Sequence, residues 1–230
     1  MARHIGIVGC SAEGAALCYR TICLEAAARM GQHNHPEITL HTFPLEQYMT
    51  PIRRGDWPEV GRLMLQSVRK VAAAGAKFAI CPDNTIHQAM PHVLPASPIP
   101  WIHIAQAVGQ EALRRGYRRL GITGTSYLAT GPVYPETLGK LGLECVTPDA
   151  DQRRRIDEII FTQLVNGIFP ELSRRYFNEV FAGLKARGCD AAVLGCTEIP
   201  LLVNPADCPL PTLDSTRLLA MAALEEAVKK

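Results

Sequence analysis

The sequence lacks a strong excess of charge of either sign. Its 230 residues include 24 Lys and Arg against 22 Asp and Glu, which gives a net charge of +2 at pH 7. Proteins that attract nucleic acid electrostatically carry a clustered basic surface, and this balance gives no indication of one. We therefore expect no nucleic-acid partner.

Long apolar runs and a leader segment are missing as well. No apolar stretch approaches the ~20 residues of a membrane span, and strand-like residues begin at Ile5 without a charged and then apolar segment before them. The eight cysteines include no Cys-x-x-Cys pair, and without a leader a disulfide framework is not expected. These absences predict a cytoplasmic protein with no membrane partner, in which most cysteines are small buried residues.

Motifs for nucleotides and metals are also missing. Gly9 and Gly14, after the first predicted strand, fit neither Gly-x-Gly-x-x-Gly nor Gly-x-x-x-x-Gly-Lys, so we predict no nucleotide. His33 and His35 lie close together, but in a polar loop without Cys or carboxylate partners nearby. We therefore predict no metal site.

Hydrophobic residues, by contrast, make up 47% of the chain, which is enough for a substantial core. Short apolar segments alternate with longer segments of helical spacing, the pattern of an α/β fold. Strands are predicted over 5–9, 38–43, 78–81, 98–104, 143–147 and 191–194, and the segments 120–126 and 209–214 repeat the segments of the first and fourth strands. Helices are predicted over 15–30, 57–74, 105–115, 156–165, 172–184 and 215–229. The segment 44–57, which contains Tyr48, is predicted to be a long loop that covers a pocket.

Three pairs of segments repeat along the chain. The matched pairs are 5–11 with 120–126, 78–80 with 191–193, and 98–103 with 209–214, at separations of 115, 113 and 111 positions. One interpretation is that α/β repeats simply look alike. The other is a duplication, which predicts two similar α/β/α subdomains with parallel four-stranded sheets, related by a pseudo-twofold axis, with an active-site cleft between them. The N-terminal subdomain would take 1–98 plus 210–230, and the C-terminal one 99–209.

Two predicted strands end in reactive side chains. Open parallel sheets place their chemistry just past the carboxyl ends of the strands. There, Asp83-Asn84-Thr85 in the first repeat stands where Cys196-Thr197-Glu198 stands in the second. Two such groups facing each other could remove a proton from one face of a carbon and deliver a proton to the other face. Two anions in one cleft repel each other, so the pair is expected to hold one proton.

Neutral groups near this pair could bind a substrate carboxylate and stabilise the charge that develops on deprotonation. These candidates are Ser11, Asn84, Thr85 and Thr197. Structural interpretations stay open: Cys196 as a small buried residue, Asp83 as a helix N-cap, and Glu198 as a cap of its own turn. His87, one turn beyond Asp83, is either a proton relay or a structural histidine.

The segments Asn84-Thr85-Ile86-His87 and Gly195-Cys196-Thr197-Glu198-Ile199 resemble the paired signatures of the aspartate/glutamate racemase superfamily. The resemblance covers essentially the whole chain, including Gly9-Cys10-Ser11 and Gly124-Thr125. It implies racemisation of an amino-acid substrate without pyridoxal phosphate, metal or other cofactor, a two-domain α/β fold, and commonly a homodimer. Under it, Asp83 and Cys196 are the catalytic pair. The substrate-binding candidates then also include Cys10, Tyr48, Thr125 and Glu198.

The sequence departs from this family pattern at positions that affect catalysis and specificity. The family uses two residues, usually both Cys, but the first position here is Asp83, and Cys81 is expected to be its buried neighbour. Aspartate-specific members carry a Lys where this chain has Val165, and an Arg near the positions of Gln47 and Tyr48. These differences favour a substrate with a less acidic side chain.

The Asp/Cys pair also leaves three functions open. In the first, Asp83 abstracts a proton and Cys196 donates one, so that racemisation is faster from one enantiomer. The second is a lyase of the arylmalonate-decarboxylase type, which would use Cys196 alone. The third is an amino-acid-binding protein that has lost turnover through the change at Asp83.

Overall fold

The computed structural model describes residues 2–229, and the chain divides into two compact units. Unit 1 contains the residues up to Ile104 and those from Thr216 onwards, and unit 2 is Ala105–Ser215. The sequence placed both boundaries before the fourth strand of each repeat, at 98/99 and 209/210. The structure places them after that strand, because each fourth strand pairs with the third strand of its own unit.

Unit 1 begins with alternating strands and helices. Its strands are β1 (Ile5–Gly9), β2 (Ile38–Thr42), β3 (Phe78–Ile80) and β4 (Trp101–Ile102). Its helices before β4 are α1 (Ala12–Met30), α2 (Leu45–Arg54), α3 (Trp57–Ala73) and α4 (Met90–Val93). Two 3-10 helices, Thr85–Ala89 and Leu94–Ala96, flank α4. All four strands are parallel, in the order β2-β1-β3-β4.

Helix α2 occupies most of the segment that was predicted to be a loop, so that prediction was wrong. Tyr48, Pro51 and Ile52 are its buried residues, and their spacing of three and four places them on one face of a helix. Pro44 and Pro51 made a helix hard to predict here, because proline is unfavourable inside a helix. Pro44 lies before the first helical residue, where a missing amide hydrogen is tolerated.

Unit 2 repeats this arrangement. Its strands are β5 (Arg119–Thr123), β6 (Glu144–Val146), β7 (Ala191–Leu194) and β8 (Thr212–Asp214). Its helices are α5 (Ile104–Arg114), α6 (Ser126–Thr130), α7 (Val133–Gly139), α8 (Ala150–Thr162), α9 (Glu171–Ala186) and α10 (Ile199–Leu202). Two 3-10 helices cover Leu164–Asn166 and Pro205–Asp207. The strands are parallel, in the order β6-β5-β7-β8. The sequence did not predict α6 and α7, which are only 5 and 7 residues long.

The strand registers of the two sheets match as the sequence repeat requires. Ile5 pairs with Phe78 in unit 1, and Leu120 pairs with Ala191 in unit 2. Likewise Ala79 pairs with Trp101, and Ala192 pairs with Thr212. These partners are related by the separations of 115, 113 and 111 positions found in the sequence. The predicted fold class, two similar α/β subdomains with parallel four-stranded sheets, is confirmed.

A repeated glycine allows a helix to pack closely on each sheet. A Cβ added to Gly6 in β1 would lie 2.7 Å from Val71 Cγ2 of α3, and one added to Gly121 in β5 would lie 2.7 Å from Leu184 Cδ1 of α9. Neither distance is sterically possible unless the helix or its contacting side chain moves. The glycine therefore belongs to the repeat because of helix packing rather than because of a ligand.

The last helix returns the chain to unit 1. α11 spans Ser215–Val228, and the Arg3 amide donates a hydrogen bond to the Ala227 carbonyl at 2.7 Å. Arg3 also forms an ion pair with Glu226, and Arg29 pairs with Glu225 at 3.0 Å. Unit 1 is therefore built from two segments that are distant in sequence, and unit 2 lies between them along the chain.

The helices are short or carry several charged side chains. The longest is α1, with 19 residues, and it carries charged side chains such as Glu13, Arg20 and Glu25. Within residues 2–229, no helix combines the length and the apolar character that crossing a membrane requires.

Candidate active site

In unit 1, the Asp83 carboxylate binds the loop that follows β1. Its Oδ2 atom accepts hydrogen bonds from the amides of Cys10 at 3.0 Å and Ser11 at 3.2 Å. Ser11 is also the N-cap of α1, where its hydroxyl accepts from the Gly14 amide. Backbone amides and the amino-terminal end of a helix both favour a negative charge. This environment therefore favours the ionised form of Asp83, which is only partly buried.

Two buried thiols surround this carboxylate. Burial and the charge of Asp83 raise the pKa of Cys10 well above its ordinary value, and the same two effects raise the pKa of Cys81. Both thiols are therefore protonated at neutral pH. Cys81 is fully buried, and its thiol faces the Asp83 carbonyl at 3.9 Å. Asp83 is thus the ionised group among these three residues.

Tyr48 lies behind this cluster, on α2. Its side chain is 0% exposed, and burial raises the pKa of its hydroxyl despite the nearby Ser67. Within residues 2–229, the hydroxyl has no hydrogen-bond partner of normal geometry. A fully enclosed side chain cannot contact a ligand in this conformation, so direct substrate binding by Tyr48 would need α2 to move.

His87 is buried in unit 1 and binds the backbone just after β3. Its Nε2 atom lies 2.9 Å from the Cys81 carbonyl, so this nitrogen carries the hydrogen and donates it. Burial and the neighbouring His103, whose ring centroid is 4.4 Å away, lower the pKa of His87 well below 6.5. A neutral imidazole with its donor already engaged is poorly suited to relay protons. The geometry favours the structural interpretation of this residue.

The depressed pKa of His87 predicts how stability changes with pH. The unfolded state, with an imidazole pKa of about 6.5, binds a proton that the folded state resists, so the free energy of unfolding falls as the pH drops below that value. The loss approaches about 1.4 kcal/mol per pH unit for one such group and continues down to the folded-state pKa. His87→Gln keeps an N–H donor but does not titrate, so its stability should fall less steeply between pH 6.5 and 5.

Urea unfolding at several pH values measures this slope. His33→Gln is the matched control, because the His33 side chain is exposed to solvent. The explanation fails if His87→Gln and the wild-type protein lose stability at the same rate as the pH falls.

In unit 2, a glycine shapes the turn before Cys196. A Cβ on Gly195 would lie 2.6 Å from the Thr123 carbonyl oxygen and 2.5 Å from Leu128 Cδ2. The Gly195 amide also donates to that carbonyl at 2.8 Å. Glycine is needed because β5 and α6 pack directly against this turn, and the turn brings Cys196 out of the buried strand.

The Cys196 thiol contacts a buried carboxylate. Its Sγ atom lies 2.9 Å from Glu198 Oε2, and Glu198 is only 5% exposed. α10, which follows this turn, is only four residues long, and the group that contacts the thiol is the Glu198 carboxylate. A carboxylate acceptor keeps the proton on the sulfur.

The other predicted residues lie on the loops of their own units. Cys10, Ser11, Asn84 and Thr85 belong with Asp83 in unit 1, whereas Thr125 and Thr197 belong with Cys196 in unit 2. Asn84 and Thr197 are buried, and Thr125 is the N-cap of α6. Their contacts with a substrate stay predictions.

Sequence reasoning missed a second set of polar residues at the strand ends. Thr123 Oγ1 donates to the Val193 carbonyl at 2.8 Å, and Ser215 Oγ donates to the Leu194 carbonyl at 2.9 Å. Asp157 accepts a hydrogen bond from the Ser126 amide at 2.7 Å. Position directly after a strand was the available signal for Ser215, but hydroxyl side chains are common there. Across residues 2–229, no three His, Cys, Asp or Glu side chains are grouped in a way that could hold a metal ion.

Comparison with known proteins gives consistent matches over the whole chain. The sequence model described as Asp/Glu/Hydantoin racemase matches residues 5–223. The chain is 30% identical to a proposed Asp/Glu racemase from Yersinia pestis, with a TM-score of 0.91 over 99% of this chain and 100% of that one. An aspartate racemase homologue from Pyrococcus horikoshii shares 24% identity, with a TM-score of 0.86 over 100% of both chains. Glutamate racemase from Francisella tularensis, in complex with D-glutamate, shares 15% identity and a TM-score of 0.65 over 96% of this chain and 79% of that one.

Proposed function

Because the chain belongs to the Asp/Glu/hydantoin racemase family, we propose that it is an amino-acid racemase that works without pyridoxal phosphate. Asp83 removes the proton from one face of the α-carbon, and Cys196 delivers a proton to the other face. One observation carries the proposal: at equivalent strand-end positions, 113 residues apart, one repeat bears a carboxylate that accepts from two backbone amides and the other bears a thiol that contacts a carboxylate.

The role of Asp83 as base is supported by its two amide contacts. The Cys10 and Ser11 amides, at 3.0 and 3.2 Å, favour the carboxylate over the carboxylic acid. The adjacent thiols cannot replace it, because burial raises the pKa of Cys10 and Cys81.

The role of Cys196 as acid is supported by Glu198. The 2.9 Å contact between Sγ and Oε2 holds the proton on the thiol until the substrate carbanion accepts it. Cys196 is also partly exposed, unlike Cys10 and Cys81. After one inversion the proton lies on Asp83 and Cys196 is a thiolate, so the pair must exchange a proton with solvent before it repeats the same direction.

The proposed substrate has a neutral or basic side chain. The Asp83 carboxylate accepts from the neutral amides of Cys10 and Ser11, and the Cys196 thiol contacts the acidic Glu198. Arg53, near the position where aspartate-specific relatives carry an Arg, pairs with Glu46 at 2.6 Å. A second carboxylate on the substrate would meet like charges here rather than a cation.

Glu198→Gln tests the acid role of Cys196 without turnover. Removing the negative charge should ease ionisation of the thiol, so alkylation of Cys196 by iodoacetamide at pH 7.5 should accelerate, by about tenfold for a charge interaction of one pKa unit. Peptide mass spectrometry follows Cys196 alone, with Glu179→Gln on α9 as a control. An unchanged or slower rate would contradict the assigned influence of Glu198.

The function itself is tested by screening the twenty L-amino acids and their D-forms for α-proton exchange in D₂O. Exchange that disappears in both Asp83→Asn and Cys196→Ala supports racemisation. Absence of exchange with every amino acid would refute the racemase proposal. CO₂ release from an arylmalonate would then favour the lyase, and thermal stabilisation by an amino acid without exchange would favour a binding protein.

The assembly and the location of the protein stay predictions. A homodimer predicts about twice the monomer mass of 25.2 kDa by light scattering. Fluorescence microscopy of a tagged full-length chain addresses the expected cytoplasmic location. Neither result changes the roles proposed for Asp83 and Cys196.

A further inference from the structure

Two consecutive buried hydroxyls bind the backbone just before each proton-transfer residue. In unit 2, Ser215 Oγ donates to the Leu194 carbonyl at 2.9 Å, two residues before Cys196. In unit 1, Thr216 Oγ1 donates to the Pro82 carbonyl at 3.5 Å, one residue before Asp83. Ser215 is 0% exposed and Thr216 is 1% exposed.

These contacts lie where each strand stops and the sheet no longer holds the backbone. In unit 2, Thr123 and Gly195 fix the end of β7 on the side of β5, and Ser215 fixes it on the side of β8. In unit 1, His87 holds the Cys81 carbonyl, and Thr216 binds the next carbonyl. The orientation of each strand-end turn therefore depends on side chains as well as on the β ladder.

The sequence repeat does not account for the two hydroxyls. At the separation of 111 positions that relates β4 to β8, the counterparts of Ser215 and Thr216 are Ile104 and Ala105. Neither counterpart has a hydroxyl, although both units have the same strand order. A folding requirement common to the two repeats would have placed the same chemistry in both.

We propose that Ser215 and Thr216 are positioning residues for proton transfer, with Ser215 orienting the turn that carries Cys196 and Thr216 orienting the turn that carries Asp83. The inference rests on the proposed function, because it treats Cys196 and Asp83 as the reacting groups. A purely structural role for the same contacts would lower thermal stability and leave both groups in their native environments.

Ser215→Ala tests the first contact. Loss of the hydrogen bond to the Leu194 carbonyl loosens the turn, so the Cys196 thiol leaves Glu198 for part of the time, and its alkylation by iodoacetamide should accelerate about fivefold. Ser173→Ala in α9 is the matched control, because Ser173 is another buried serine of unit 2 that bonds a side chain, Gln163. Equal alkylation rates in the two variants, with similar losses of melting temperature, would overturn the role of Ser215.

Thr216→Val tests the second contact, and Thr216→Ser should restore it. The Cys10 and Ser11 amides report on Asp83 because they donate to its carboxylate, so their hydrogen exchange should accelerate about threefold in Thr216→Val and return towards wild type in Thr216→Ser. Exchange over 119–123 in unit 2 controls for global loosening. Unchanged exchange at Cys10 and Ser11, or failure of Thr216→Ser to restore it, would overturn the role of Thr216.

Activity then separates the two proposals. If an amino acid is racemised, both variants should lower kcat at least about fivefold while KM stays within twofold, because the contacts position reacting groups rather than bind substrate. If no amino acid is racemised but alkylation and amide exchange respond as expected, the positioning contacts stand and the proposed function fails. If turnover is found and the variants leave kcat unchanged, the positioning inference fails.

Discussion

Replacing Cys196 with alanine is expected to lower α-proton exchange by about 10²–10⁴-fold, the range attributed to one positioned acid or base. The proposed mechanism assigns the acid role to this thiol, which is partly exposed at the end of β7 and whose Sγ atom lies 2.9 Å from Glu198 Oε2. Alanine removes the proton donor and changes little volume. Substrate binding, measured by calorimetry, should therefore change less than turnover.

Cys145→Ala is the control for this experiment. Cys145 is another partly exposed cysteine of unit 2, on β6, and burial raises its pKa to about 11. Its loss should leave exchange within twofold of wild type. Cys196→Ala that still inverts the α-carbon at more than a tenth of the wild-type rate would remove Cys196 from the mechanism.

Asp83→Asn should abolish proton abstraction to a similar extent, by about 10²–10⁴-fold. Asparagine keeps one oxygen that can accept from the Cys10 or Ser11 amide, so the loop should remain folded while the base is lost. Measurements of initial exchange from each enantiomer separately give the direction of the reaction. The wild-type protein should favour the enantiomer from which Asp83 abstracts.

Asp83→Cys should make catalysis more nearly equal in the two directions rather than abolish it. A carboxylic acid of pKa near 4 is a ready base but is rarely protonated at neutral pH, whereas a thiol of pKa near 8.5 serves as both acid and base. Circular dichroism of the substrate should show initial rates from the two enantiomers that approach each other in this variant. Equal rates already in the wild-type protein would contradict the assigned asymmetry.

The duplicated architecture could be predicted because it is encoded in repeated, strongly periodic segments. Strand cores such as Ile5–Gly9 and Ala191–Leu194 are short, fully buried and followed by glycine-containing loops, and each repeats at a fixed separation. Helix α2 could not be predicted in this way, because its buried face has only three residues and one of them is Pro51. The unit boundaries also depend on strand pairing, which no local pattern reveals.

The electrostatics of the candidate site were less predictable than its location. The position of Asp83 follows from the end of a strand, but its contacts with Cys10 and Ser11 join segments about 70 residues apart. The sequence predicts Glu198 as a cap or a substrate ligand. In the structure its carboxylate contacts the Cys196 thiol. Such contacts depend on side-chain direction in a turn, which sequence spacing does not determine.

The two-segment construction of unit 1 has a consequence for the order in which the chain folds during synthesis. Unit 2 is one continuous stretch, so all of its strands have been made when the ribosome reaches α11. Unit 1 must wait for α11, whose Glu225, Glu226 and Ala227 contact Arg3 and Arg29. The nascent chain therefore carries an incomplete first unit, with the α11-binding surface exposed, throughout translation of the second, and this is the period in which it most needs protection from aggregation.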